Sequence, residues 1–391
     1  MRINNLFGLS SAKVQRVRQS KRYRPPAGLS VPVVTVLDRS GRVIADEQRE
    51  VIRYAVQDGA GANVIFAAGT TGEWDKLDNH RRQLVATIAV EECQRISHVS
   101  GTNVEAWVGI TGRSRAETLD NLVHAIEINA DAVVVAPLSI EDVDDCVDFV
   151  TRDIGAVYEE HKRALPLFLY DNADIAAAGK SDHLHTRDVK RMSRLGYVRG
   201  VKVTAGKAVL GNYMRAASHF KRKGEFVIYP GNAYLIFDLF QPRKGMRGKI
   251  RHYWNRYLTQ NSLPHGVVAG ASNVMPREWQ RGWQVCEKAD LLLMRRYSTV
   301  LEEYRDACEF SRGGKPYRPT IACIKAALKD LGVCSSEALA PGTPELSEGE
   351  RREFIRRLRF LRRRAAATLE PEWLSEWGAK RPMLRQARRD G

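Results

Sequence analysis

Apolar and polar positions follow two rhythms along the chain. Short runs rich in Val, Ile, Leu and Phe recur at 31–37 (VPVVTVL), 62–68 (ANVIFAA), 104–110 (VEAWVGI), 131–137 (DAVVVAP), 165–170 (LPLFLY), 198–203 (VRGVKV), 225–230 (EFVIYP) and 265–270 (HGVVAG). Their near-continuous apolar character predicts strands covered on both faces. Between most of them lie amphipathic segments, among them 46–60, 80–96 and 115–130, each long enough for a crossover helix. Alternating strands and helices predict an α/β protein with a parallel sheet wrapped by helices. Eight such units predict a closed (β/α)8 TIM barrel rather than an open sheet.

The same pattern predicts the domain organisation. A basic N-terminal arm occupies 1–29, and the barrel occupies 30–276 with an insertion at 241–263. That insertion is long for a loop and is expected to carry its own helix. A helical C-terminal region follows over 277–345, with helices expected at 277–310 and 319–331 and no further strands. The last segment, 346–391, is a basic helical tail in which Phe354, Leu358 and Leu361 recur at the spacing of a helix docking on its own protein.

Composition narrows the function classes. The 391 residues are 43% hydrophobic and 28% charged, which is the balance of a globular protein. No apolar run approaches the roughly 20 residues that cross a bilayer, and the acid-free start lacks the apolar core of a signal peptide. A transit peptide is the minor alternative to the expected cytoplasmic location. The six cysteines are scattered without the paired spacing of a metal site, so neither a metal nor another cofactor is expected. The net charge of +16 sits largely in the arm, the insertion and the tail. A basic helix face is most often solvated surface, so nucleic-acid binding is not the expected main function.

Chemistry enters at the strand ends, where barrel active sites are built. These ends read GTTGE (69–73), GITG (109–112), APLS (136–139), YDNAD (170–174), KVTAG (202–206), PGN (230–232) and GASN (270–273), richer in small and polar residues than the strands before them. Strand alternation sends Val201 and Val203 to one face and Gly200, Lys202 and Thr204 to the other. If the valines meet the helices, Lys202 points into the barrel above a glycine. The same rule turns Leu167 and Leu169 outward and Phe168 and Tyr170 inward, so Lys202 and Tyr170 can meet at the mouth. A lysine there must either find a carboxylate or give up its proton. As a free amine it attacks a ketone or aldehyde and forms an imine, while a phenol such as Tyr170 relays protons. The bland alternative is a surface lysine at a frayed strand end. Gly69 and Gly72 allow a tight turn in which Thr70 and Thr71 can bind a carboxylate, although such a turn is by itself ordinary.

Four motifs, GTTGE, LPLFLYDN, GVKVTAG and GVVAGASNVMP, stand in the order and approximate spacing of the dihydrodipicolinate synthase and N-acetylneuraminate lyase superfamily, which the chain resembles over roughly 30–345. The resemblance implies a (β/α)8 barrel with a helical C-terminal region, usually assembled as a tetramer, in which a lysine forms a Schiff base with pyruvate or a related 2-oxo acid; a homo-oligomer, dimer or tetramer, is expected here. It implies that Lys202 is the imine-forming lysine and Tyr170 the proton-relaying tyrosine. Thr70 and Thr71 would hold the substrate carboxylate, with Thr70 also passing protons to Tyr170. Gly69, Val268, Asn273 and Asn232 complete the expected substrate-binding set, with capping of its own loop as the alternative for Asn273.

The departures from the family pattern matter as much. Synthases of this family continue the fifth-strand tyrosine to an arginine that grips a substrate carboxylate; here Ile175 stands at that place. Their fourth strand ends in Pro-Tyr-Tyr; here Leu138 and Ser139 follow the proline. The seventh-strand end, Gly231-Asn232-Ala233, lacks the acidic residues associated with polyhydroxylated substrates. The leading expectation is therefore a pyruvate-using or pyruvate-releasing Schiff-base lyase. The alternatives are 4-hydroxy-tetrahydrodipicolinate synthase with an unusual pocket, and a barrel that binds a 2-oxo acid without catalysis. Asp171 and Asn172 are equally suited to substrate contact or to a turn, and His183 and His185 are expected on the surface rather than on a metal.

Overall fold

The computed structural model describes residues 23–220, 225–241, 245, 246, 250 and 263–369. Eight parallel strands are arranged in the order β7-β6-β5-β4-β3-β2-β1-β8. They are β1 (Gly28–Pro32), β2 (Val64–Ala67), β3 (Glu105–Gly109), β4 (Ala132–Val135), β5 (Leu167–Asn172), β6 (Val198–Thr204), β7 (Val227–Pro230) and β8 (Gly266–Val268). The His265 amide donates to the Ile228 carbonyl at 3.1 Å and brings the two ends of the sheet together. Helices, among them Ala45–Val56, Asn79–Ser100, Arg115–Glu127 and Lys207–Ala216, surround this sheet. The chain is a (β/α)8 barrel with a helical C-terminal region.

Strand alternation divides the core into two layers. Val31, Leu167, Leu169, Val201 and Val203 face the helices in the large outer cluster. Val64, Phe66, Trp107, Val134, Phe168, Tyr170, Tyr229 and Val268 fill the interior. The Trp107 and Phe168 rings stack with centroids 3.9 Å apart, and Tyr229 meets both edge-on. The barrel is thus a solid core with room for chemistry only at its ends.

The N-terminal segment closes the floor. Tyr23 donates its phenol proton to Glu105 at 2.6 Å, Trp107 donates its indole N–H to the same carboxylate at 2.8 Å, and Tyr229 donates to the Pro26 carbonyl. Burial pushes the Glu105 carboxyl up to about 7 against the lowering effect of the Trp107 and Tyr23 hydrogen bonds, with Asp131 adding to the rise.

Three expectations need correction. The first strand lies at Gly28–Pro32, earlier than the 31–37 run; residues beyond Pro32 continue over the mouth, where Leu37 bridges to Val43 and Ala338. Val33, Val34 and Val36 are buried in the outer core and Leu37 packs with Ala338 and Ala340, so their apolar pattern reflects burial beyond the end of the paired strand. The expected helix 277–310 is two helices, Pro276–Lys288 and Leu291–Ala307. They are separated by Ala289 in the left-handed region and by Asp290, whose side chain accepts from the Leu293 amide. An antiparallel hairpin, β9 (Phe310–Arg312) and β10 (Lys315–Tyr317), then stands where no strand is expected, with Gly313 and Gly314 supplying the two positive φ angles of its turn.

The tail folds back as the helix Glu348–Thr368, opened by a capping box between Ser347 and Glu350 and burying Phe354, Leu358 and Leu361. The helix expected within 241–263 falls almost wholly outside the described residues. Among the described residues no helix is long and apolar enough to cross a membrane.

Candidate active site

Lys202 and Tyr170 are register partners on β6 and β5. Both are buried, at 7% and 5% exposure, yet both stand at the strand ends that open to the mouth. The position below Lys202 is Gly200, where a Cβ would lie 2.8 Å from the Phe168 ring and 2.7 Å from the Val227 carbonyl. Only glycine lets the Phe168 ring fill that level. Lys202 Nζ lies 3.7 Å from the Tyr170 ring centroid and 4.9 Å from that of Phe66. Its surroundings are aromatic faces, and no carboxylate forms an ion pair with it among the described residues.

The Tyr170 phenol is the hub of a polar cluster. Its oxygen lies 3.2 Å from Thr70 Oγ1, accepts from Asn172 Nδ2 at 3.1 Å and lies 3.5 Å from Thr204 Oγ1. Burial raises the phenol's pKa, but the Lys202 charge and the hydrogen bonds from Thr204, Thr70 and Lys202 outweigh it and hold the group below the ordinary tyrosine value. A phenol so placed can give and recover a proton beside the amine.

The threonines ride on a single 3-10 turn, Thr70–Gly72, after β2. Thr35 donates its hydroxyl to the Gly72 carbonyl at 2.7 Å, and Gly69 packs against Phe66, where a Cβ would meet the ring at 2.7 Å. Thr71 faces Gly270 of the loop after β8; a Cβ there would lie 3.5 Å from Thr71 Oγ1. Next to the turn, Glu73 is wholly buried, receiving hydrogen bonds from Lys325 Nζ, the Ala340 amide and Thr343 Oγ1. The C-terminal region therefore anchors the threonine loop.

The remaining expected residues divide. Val268 is an inner-core residue of β8. Asn273 spends its amide on backbone, donating to Pro32 and Gly270 and accepting from Val34, which joins β1 to the β8 loop. Asn232 is exposed on the loop after β7 and lines a cavity of about 230 Å³ between that loop and the C-terminal helices. Asp171 faces outward, where it accepts from Tyr213 and the Leu184 amide and pairs with His183. A broader groove of about 700 Å³ beside His183 and His185 contains none of the mouth residues. Among the described residues no three His, Cys, Asp or Glu side chains gather as metal ligands.

Sequence reasoning turned Thr204 inward and left Asn172 between substrate contact and turn, but assigned neither a role in the site. The signal was present, since each lies two residues beyond an inward side chain on its strand. Glu73 lay inside a quoted motif, but nothing local pointed to its partners more than 250 residues away.

A parallel barrel with a buried lysine and tyrosine paired across two strand ends defines the class of fold and site. The chain belongs to the dihydrodipicolinate synthetase family, whose model matches residues 25–250. Among curated relatives, the 4-hydroxy-tetrahydrodipicolinate synthase of Ectopseudomonas mendocina is 25% identical over 216 residues, covering 54% of this chain and 66% of the relative, just under two thirds of its length. Solved structures share the fold. A prophage protein of the dihydrodipicolinic acid synthase family from E. coli, in complex with pyruvate, aligns with TM-score 0.67 at 18% identity over 86% of this chain and 98% of its own. The sialic acid aldolase of Ruminococcus gnavus aligns with TM-score 0.68 at 14% identity, over 88% and 99%.

The departures from the family pattern now have positions. Ile175 packs against the inner cluster. Leu138 belongs to the outer core and its carbonyl accepts from the Ala177 amide, while the Ser139 hydroxyl is buried without a partner among the described residues.

Proposed function

We propose that the protein is a Schiff-base aldolase or lyase that makes or breaks a carbon–carbon bond next to pyruvate or a related 2-oxo acid. The observation that carries this reading is Lys202 Nζ against the Tyr170 ring, with the phenol bonded to Thr70. In the synthetic direction the Lys202 amine attacks the keto carbon, and loss of water leaves an iminium. Loss of a proton from the methyl carbon gives an enamine, which attacks the aldehyde carbon. The new alkoxide takes a proton, and water then releases the product and restores the amine. Tyr170 is suited to carry the protons of these steps through Thr70, and Thr71 with the turn amides is suited to the 2-oxo acid carboxylate.

The relatives' name supports a narrower reading, 4-hydroxy-tetrahydrodipicolinate synthase. Ile175, Leu138 and Ser139 weigh against it, because the groups that would grip and protonate that second substrate are replaced by apolar or short side chains. Assembly as a dimer or tetramer belongs to the same proposal. The test is borohydride reduction with pyruvate, followed by peptide mapping. A reduced pyruvyl adduct on Lys202, absent from Lys202→Ala, is the expected result. No adduct with pyruvate or with a panel of other 2-oxo acids would sink the enzymatic reading.

A further inference from the structure

The helix Glu348–Thr368 buries Phe354, Leu358, Leu361 and Ala365 against the protein. At about 3.6 residues per turn, Arg352, Arg356, Arg359 and Arg363 fall in one narrow stripe on the opposite face, and all four are exposed. The stripe runs for roughly 16 Å. Phe360 stands at its edge, four residues from Arg356 and three from Arg363, with 59% of its surface in solvent. The usual reasons for a basic helix face do not account for this one. The helix dipole favours cations in the last turn, yet that turn carries no basic residue. The acids Glu348, Glu350 and Glu353 all lie in the first two turns, and residues 354–368 hold six arginines and no acid. Glu350 is taken by Arg312, and Glu353 is shared between Arg356 and Arg357. Arg359 pairs with Asp330, whereas Arg352 and Arg363 form no ion pair among the described residues. Surface pairs of this kind contribute little and exchange readily for another anion.

We propose that this face docks a single-stranded nucleic acid, with the arginines on its phosphates and the Phe360 ring beneath a base. Guanidinium groups match phosphate oxygens two at a time. An exposed aromatic ring beside a cationic track is the stacking platform on which a single strand settles. A duplex keeps its base faces covered, so the ring has nothing to stack on there. A lipid surface fits less well, because the helix has spent its apolar face on the protein and leaves one ring to enter the interface. Residues 1–22 and 241–263 each hold six Lys or Arg and no acid, which adds long-range attraction for the same polyanion. Neither Lys202 nor Tyr170 takes part, so this surface is independent of the Schiff-base reading.

The test is fluorescence anisotropy of labelled oligodeoxythymidine and oligouridine with the full chain across a salt series, beside a duplex of the same length and phosphatidylserine vesicles. At least one single strand should bind tenfold tighter than the duplex, and the better of the two tells DNA from RNA. The four arginines should contribute about −3 to the slope of log affinity against log salt. Arg352→Gln combined with Arg363→Gln should weaken binding at least tenfold and make the slope shallower by about 1.4. Phe360→Ser should lose several-fold of affinity with the slope unchanged, a loss that a diffuse counterion effect would not show. Both variants should melt within a few degrees of the parent, and pyruvate trapping on Lys202 should be the same in all three. Single-strand binding that ignores the arginine pair would place the contact in another basic segment and overturn the proposal. A preference for the duplex or the vesicles, equal affinity after Phe360→Ser, or no binding of either strand at low salt would overturn it as well.

Discussion

Glu73 and Lys325 form an ion pair sealed from solvent, with side-chain exposures of 0% and 3%, that bolts the threonine loop to the C-terminal region. Thr343 and the Ala340 amide complete the carboxylate's hydrogen bonds. Removing one partner strands a buried charge, which typically costs about 3–5 kcal/mol. Lys325→Met should therefore lower unfolding stability by that order, and pairing it with Glu73→Leu should cost less than the two single changes summed. Denaturant titration of the four proteins gives the cycle, and simple additivity would contradict the coupling.

Tyr170→Phe keeps the ring beneath Lys202 and removes only the phenol. Pyruvate should still be trapped on Lys202, while turnover falls by roughly 10²–10⁴, the range of general acid–base catalysis. The Tyr170 phenol sits below the ordinary tyrosine value, so ultraviolet titration should show one phenolate forming below pH 10 that Tyr170→Phe lacks. Because its folded value is depressed, this group's contribution to stability should be present above pH 10 and lost as pH falls through the folded value. The absence of an early-titrating phenol would contradict the lowering of the Tyr170 pKa by Lys202 and the hydrogen bonds to its oxygen.

Gly200 makes room for the Phe168 ring under the lysine. Gly200→Ala should overpack the barrel at a cost of about 1–3 kcal/mol. It should also slow adduct formation with pyruvate by displacing Lys202. A variant of unchanged stability and trapping rate would show that the barrel interior has slack at this level.

At the barrel floor the Glu105 carboxyl is pushed up to about 7 by burial. A raised acid holds its proton more tightly in the folded state. Its contribution to stability should be complete below about pH 4.5, decline as pH rises to 7, and stay constant beyond. The shift corresponds to at most about 3 kcal/mol. Glu105→Gln retains an acceptor for Tyr23 and Trp107, so it should flatten this decline and stabilise the protein at pH 8 relative to pH 5. Parallel slopes in the parent and the variant would contradict the assignment.

The sequence by itself determined the barrel and the lysine–tyrosine pair. Both follow from local rules: eight apolar runs set the number of strands, and alternation within a strand decides which side chains share a face, so Lys202 and Tyr170 pointed inward with Gly200 below. Alternation also turned Thr204 inward, and one further step from Tyr170 reaches Asn172. The Gly313-Gly314 turn was equally readable. Where β1 ends was not, because Val33, Val34, Val36 and Leu37 are as buried as strand residues although the paired register stops at Pro32.

Tertiary structure alone decided what surrounds the site. The Glu73–Lys325 bond and the cavity joining Gly231, Gly270, Trp279, Tyr304, Arg305 and Arg318 bring together side chains from distant parts of the chain. No periodicity encodes such meetings. They depend on how the C-terminal helices dock on the barrel mouth, and docking follows the summed shape and burial of whole surfaces rather than the spacing of residues along one element.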